Sequence, residues 1–156
     1  NAIECKKYNE SYVSISWAKS SLREWLNNAF YNEVFNESEK EFIKERNIDN
    51  KKNPEYETHD GGTTKDKLFV LAYEEVTKYV KDELLLCKGT KHFIINNGYI
   101  NKKEEFEGNC DWWLRTPGDS NNNVMNVSSE GEIIITGDYS TTDDFGVRPC
   151  MYVRYE

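Results

Sequence analysis

The chain has no long hydrophobic run, no excess of positive charge and almost no histidine, and each shortage excludes a class of function. None of its apolar stretches approaches the ~18 residues that cross a bilayer, and no basic-then-apolar signal segment opens it. With 20 Lys and Arg against 28 Asp and Glu, the formal charge is -8. That argues against a general nucleic-acid binder, which needs a basic stripe for phosphate. The two histidines, His59 and His92, have no partner at helical or CxxC-type spacing. The cysteines Cys5, Cys87, Cys110 and Cys150 contain no CxxC pair, so a structural zinc site has no support. Dinucleotide, Walker, HExxH and nucleophile-elbow patterns are absent as well.

What is present describes one folded domain. Its 156 residues fit a single core, and although only 37% are hydrophobic, 13% are aromatic, which favours a packed interior over disorder. Residue 1 is Asn rather than Met, so the domain over 1–156 is expected to be a piece of a longer, exported protein. The charge is uneven: residues 1–100 carry 15 basic and 17 acidic side chains, whereas 101–156 carry 5 and 11. Acidity therefore concentrates in the last third. The thiols are either free or joined in one or two bridges, and Cys110 with Cys150, flanking the C-terminal strands, is the first pair to consider.

Helices are expected first. Ser21 with Glu24 forms a capping signature before Leu22, Trp25, Leu26, Ala29 and Phe30, one apolar stripe at helical period. Asn36 with Glu39 repeats the signature ahead of Phe42 and Ile43, the inner face of a second helix. Residues 47–66 read as a long polar loop, either mobile or functional. Lys67–Ala72 reads as a buried strand, Tyr73–Leu86 as a third helix, and His92–Ile95 as a short strand. In the last third the period changes, with strands expected at 112–115, 123–127, 132–136 and 147–154. Ser128–Gly131 is the turn of a hairpin between the second and third of these. This order, helices then a small antiparallel sheet, is α+β.

Several residues carry a family pattern: Trp17, Ser20–Arg23, Trp25–Asn27, Phe30, Phe35 with Glu39, Thr64, Asp66–Lys67, Phe69–Leu71 and Glu74–Val76. It closes with Trp112–Gly118 (WWLRTPG) and Gly146–Pro149 (GVRP). Over nearly its whole length the chain resembles a bacterial domain family of unknown function, common in surface and secreted proteins of low-GC Gram-positive bacteria. That family is similar to the C-type-lectin-like fold, shared by formylglycine-generating enzymes and by the variable proteins of diversity-generating retroelements. The resemblance implies N-terminal helices packed on a small twisted sheet in the C-terminal third, with a long-loop face for ligands. Ala72 stands where the family usually has Ser, and Cys150 where it usually has Ala.

Trp112 and Trp113 point to opposite faces of a strand, one filling the core and the other half buried or exposed. Arg115 and Arg148 are expected to be structural, each holding a buried carboxylate or carbonyl. Candidate ligand residues lie in two polar loops flanking the hairpin: Asn121, Asn122 and Asn123, then Asp138, Tyr139, Thr141, Asp143 and Asp144. Their amides and carboxylates suit sugar hydroxyls, with Tyr139 and Phe145 as stacking faces, and their clustered carboxylates make Ca²⁺ a candidate. The sugar-binding triplets of calcium-dependent lectins and the EF-hand spacing are missing, so the metal stays open.

The expectation is a non-enzymatic extracellular or cell-surface module binding a glycan or protein partner through its C-terminal loops. One alternative is an enzyme of the formylglycine-generating branch, although the motifs of that branch do not surround Cys110 or Cys150. Others are a retroelement-diversified binding protein and a purely structural spacer.

Overall fold

Short apolar runs broken by polar residues favour short elements, and the computed structural model, which describes residues 1–154, is built from them. After strand β1 (Glu4–Cys5) and a 3-10 turn at Trp17–Lys19 comes α1 (Ser21–Trp25). It passes through a π-helical turn, Leu26–Phe30, into α2 (Tyr31–Val34). The N-cap of α1 is Ser20, not Ser21: the Ser20 hydroxyl accepts the Arg23 N–H at 3.2 Å, while that of Ser21 accepts the Glu10 N–H. The Asn36–Glu39 capping box forms as expected and starts α3 (Glu37–Phe42). That helix stops at Phe42, which is exposed, and Ile43 begins β2 (Ile43–Lys44).

The expected loop over 47–66 is a hairpin for part of its length. β3 (Arg46–Asp49) pairs with β4 (Thr63–Asp66), leaving 50–62 as the connection. In 67–72 only β5 (Leu68–Phe69) is strand, although Val70 and Ala72 are also buried. The long third helix is two, α4 (Tyr73–Tyr79) and α5 (Asp82–Leu85), separated by extended backbone at Val80 and Lys81. His92–Ile95 is helical within α6 (Lys91–Ile95), because the Thr90 hydroxyl caps the Phe93 N–H.

The remaining strands are β6 (Trp112–Pro117), β7 (Asn123–Val127), β8 (Ile133–Tyr139), β9 (Gly146–Val147) and β10 (Cys150–Val153). The expected 147–154 strand is thus divided, its halves serving different sheets. The larger sheet runs β1-β9-β6-β7-β8, β6 and β9 being parallel neighbours and the other pairs antiparallel. A second sheet has the order β2-β10-β5. The whole is α+β, with several small, mainly antiparallel sheets and a few short helices. No helix among the described residues is long and apolar enough to cross a membrane.

β6 lies at the centre of the larger sheet and every one of its residues is buried. The expectation that one of its tryptophans is half buried or exposed is therefore corrected: Trp112 and Trp113 are both fully buried. They do point to opposite faces, but both faces are covered. Trp113 joins Tyr8, Trp17, Leu22 and Leu26 on one side, and Trp112 joins Val76, Phe93, Leu114 and Met125 on the other. Each indole N–H reaches a backbone carbonyl, Trp112 that of Leu85 at 2.9 Å and Trp113 that of Lys6 at 2.8 Å.

Much of the family pattern forms one polar network. Buried Asp66 accepts from the Trp17 indole (2.9 Å), the Arg23 guanidinium (2.6 Å) and the Thr64 hydroxyl (2.8 Å). Asn27 meanwhile accepts the Lys67 and Leu68 N–H groups and donates to the Leu68 carbonyl. The helices are thereby fixed to β4 and β5.

Candidate functional site

The polar connection over 50–62 is held down by two asparagines. Buried Asn53 directs its amide N–H₂ at the carbonyls of Pro117, Gly118 and Ile135, between 2.8 and 3.0 Å away, and its Oδ1 accepts the Glu55 and Tyr56 N–H groups. Asn50 donates to the Gly62 carbonyl at 2.7 Å and accepts from Arg115 at 3.0 Å. The segment therefore lies across the end of β6 and the interior of β8, beside the β6–β7 turn. There Asn121 Oδ1 accepts the His59 N–H at 2.7 Å, and its carbonyl accepts the Ile15 N–H at 2.8 Å.

Three segments distant in sequence thus meet at one corner: 12–16, 57–61 and 119–123. A fourth joins them where the Asn122 carbonyl accepts the Ser140 N–H and Asn123 pairs with Tyr139 across β7 and β8. The chain bends here, with an irregular register between Val124 and Asn126 and Gly137 at φ 72°. A Cβ at Gly137 would lie 2.4 Å from the Val124 carbonyl oxygen, so only glycine fits.

Two clefts flank His59. One of about 260 Å³ is lined by Lys52, Glu57, Thr58, His59 and Asn121. The other, also about 260 Å³, is lined by residues 14–16 together with Ala18, Lys19, His59 and Gly61. On the same corner Tyr139, opposite Asn123, is 58% exposed and meets exposed Tyr12 edge to face, ring centres 5.3 Å apart. The corner also contains buried oxygens without a protein hydrogen bond: Thr58 Oγ1, Asn123 Oδ1 and Ser140 Oγ. Thr58 is a wall of the first cleft.

A larger hollow of about 460 Å³ opens beside α1, and of its four cations, Lys19, Arg23, Lys65 and Lys67, the last three are engaged. Arg23 binds Asp66, Lys65 pairs with Glu45, and Lys67 sits over the Tyr31 ring.

Of the expected ligand residues, Asn121, Asn122, Asn123 and Tyr139 are brought to this corner. Thr141 follows in the next turn, partly buried. The aspartates divide from them. Asp138 takes a long hydrogen bond (3.5 Å) from Asn126, and Asp144 lies near enough to act on both Asp138 and Asp111. Burial raises the Asp111 and Asp138 carboxyls above their ordinary value, and the neighbouring Asp144 charge adds to this. Asp143 is exposed, and its charge acts on Cys5. Among the described residues no group of three or more His, Cys, Asp or Glu side chains is placed to hold a metal ion. Phe145 is not a stacking face: it is buried against Trp113, ring centres 4.5 Å apart.

The structural arginines behave differently from each other. Arg115, 3% exposed, grips Glu75 bidentately at 2.6 and 2.8 Å and also reaches the Val70 carbonyl. Arg148 holds the Leu84 carbonyl at 2.9 Å and stacks on Trp112. All four cysteines are free, and the pair that approaches is Cys87 with Cys110, not Cys110 with Cys150. The reason is that Cys150 belongs to the second sheet, where it pairs with Phe69.

Tyr12, His59, Thr58 and Ser140 also meet at this corner, although no sequence motif marks them. The only available signal was the unusual length of the polar stretch that contains Thr58 and His59.

Residues 1–155 match the model of the family described as a domain of unknown function, DUF6273. No curated protein and no solved structure matches the chain. The chain belongs to the DUF6273 family.

Proposed function

We propose that this DUF6273 domain is a non-enzymatic binding module of C-type-lectin-like fold, working outside the cell or at its surface, and that it recognises a glycan at the His59–Asn121 corner. The observation that carries the reading is that the exposed Tyr12–Tyr139 pair shares a corner with the polar cleft lined by Lys52, Glu57, His59 and Asn121. Sugar rings offer an apolar C–H side for an aromatic ring face and hydroxyls for amides and carboxylates, and this corner supplies both kinds of group. The pairing of β1 with β9, which brings the N-terminal segment against a late strand, and the helices preceding the sheet favour the lectin-like placement.

The enzymatic alternative has less support. Cys87 and Cys110 are buried, and neither lines the clefts at His59.

The test is an array of oligosaccharides probed with the domain and with Tyr139→Ala. Retention of one saccharide class by the native domain, weakened about tenfold by the substitution, supports the reading. An array with no retained saccharide, or equal retention by both proteins, overturns it.

A further inference from the structure

Cys87 and Cys110 are set opposite each other by the backbone. Lys88 and Asn109 form an antiparallel bridge, flanked by hydrogen bonds from Cys110 N–H to the Cys87 carbonyl (2.8 Å) and from Gly89 N–H to the Gly108 carbonyl (3.0 Å). In that register Cys87 lies directly opposite Cys110, joined by one of the two backbone bonds that such a pair can exchange. Such pairs have Cα atoms about 5.5 Å apart and side chains on the same face, inside the range a disulfide bridges. The Cys110 thiol also lies 3.3 Å from the Cys87 carbonyl oxygen. Both side chains are within one apolar cluster, with Ala2, Phe93 and Trp112 around them.

The surroundings differentiate the two sulfurs. Cys87 is lowered from the ordinary thiol value, chiefly by the Cys110 thiol beside it, with help from the Arg148 charge and the Ala2 N–H. Cys110 is raised by the same neighbour and by burial. The Cys110 S–H is directed at the Cys87 carbonyl, which holds its proton, so Cys87 is the attacking sulfur and Cys110 the resolving one. Gly146 leaves room for the pair: a Cβ there would lie 2.6 Å from Ala2 Cβ and 3.2 Å from Cys110 Sγ. The N-terminal residues close over it, the Ala2 N–H bonding the Lys88 carbonyl and its carbonyl accepting from Thr90.

We infer that Cys87 and Cys110 are a disulfide-exchange site, converted to a cystine by an external disulfide, that fastens the 88–109 segment to the start of β6. In the first step the Cys87 sulfur attacks one sulfur of the oxidant R–S–S–R and expels R–S⁻, which takes up a proton. The Cys110 sulfur then loses its proton and attacks Cys87 Sγ in the mixed disulfide, expelling the second R–S⁻, which is protonated in turn. Two electrons and two protons pass to the oxidant, leaving one protein disulfide and two R–SH. The oxidant is a low-molecular-weight or protein disulfide.

The domain, fully reduced, is incubated with oxidised glutathione, the remaining thiols are alkylated, and the linkage is mapped by mass spectrometry. The expected result is a Cys87–Cys110 peptide pair with Cys5 and Cys150 alkylated, and a melting temperature about 5–10 °C above that of the reduced protein. A Cys5→Ser/Cys150→Ser double variant is expected to show the same shift, and Cys110→Ser none. A linkage to Cys5 or Cys150, four alkylated cysteines after incubation, or a shift that persists in Cys110→Ser overturns the inference.

Discussion

Asn121 Oδ1 accepts the backbone N–H of His59 at 2.7 Å, and this contact ties the 50–62 connection to the β6–β7 turn. It makes one surface from two loops that the chain places far apart. Replacing Asn121 by Ala removes the acceptor without touching the core, so the domain should stay folded and lose about 1 kcal/mol. Amide exchange at His59 should rise sharply, and saccharide retention should fall. Unchanged protection of the His59 amide would show that the loop is held elsewhere, as by Asn53.

Arg115 is the second tie, and it is buried. Its guanidinium bonds Glu75, Asn50 and the Val70 carbonyl, and its own carbonyl accepts from Tyr8 at 3.2 Å. Glu75→Ala leaves that buried cation without its carboxylate and should cost about 3–5 kcal/mol in chemical denaturation. Glu75→Gln, which keeps one acceptor, should cost less. A loss under about 1 kcal/mol for the alanine variant would mean that Arg115 is satisfied without Glu75.

At Ala72 half a capping box survives. The Glu75 carboxylate accepts the Ala72 N–H at 2.8 Å, but alanine has no side-chain oxygen to return a bond to the helix. Thr116 partly compensates by accepting the Tyr73 N–H at 2.9 Å. Ala72→Ser restores the missing acceptor and should stabilise the domain by about 0.5–1 kcal/mol in thermal or chemical unfolding. Destabilisation would indicate that the site, where Ala72 is 2% exposed, has no room for a hydroxyl.

Burial and the Asp144 and Asp138 charges hold the Asp111 carboxyl above 3.8, although the Ser129 N–H at 2.5 Å opposes this. The unfolded chain releases this proton at the ordinary value and the folded one only at higher pH, so across that window the native state binds more protons. The contribution of Asp111 to stability is therefore full below the unfolded value and declines as pH rises through the folded one. Carboxyl-carbon NMR should show Asp111 titrating above 3.8, and Asp111→Asn should remove its part of the slope. Titration at or below the ordinary value would contradict the burial argument.

The parts of this fold legible in the sequence were those written in neighbouring residues. The β7–β8 hairpin follows from Ser128–Gly131 between two apolar runs, and the α3 box from Asn36 and Glu39. Errors arose where distant segments decide. β3 and β4 are too polar to show an apolar alternation, and the residues that turn inward there, Ile48, Thr64 and Asp66, find partners that come from the N-terminal helical region and elsewhere. Ile94 and Ile95 have strand propensity, yet the Thr90 cap makes them helical. Nothing near Trp112 and Trp113 says that both faces of β6 are covered, because Tyr8, Leu22 and Phe93 come from elsewhere in the chain. For the site, Asn121–Asn123 and Tyr139 were legible as polar loops around a hairpin. Tyr12 and Thr58 were not, since only the folded chain brings them there.

Amide NMR of the isotope-labelled domain, titrated with the oligosaccharides retained on the array, asks whether the surface formed by Tyr12, His59, Asn121 and Tyr139 binds a saccharide. The expected shifts saturate, are confined to residues of the 12–16, 57–61, 119–123 and 138–141 segments, and vanish in Tyr139→Ala. Saturating shifts centred on the hollow beside α1, or no shifts with any oligosaccharide, would contradict binding at that surface.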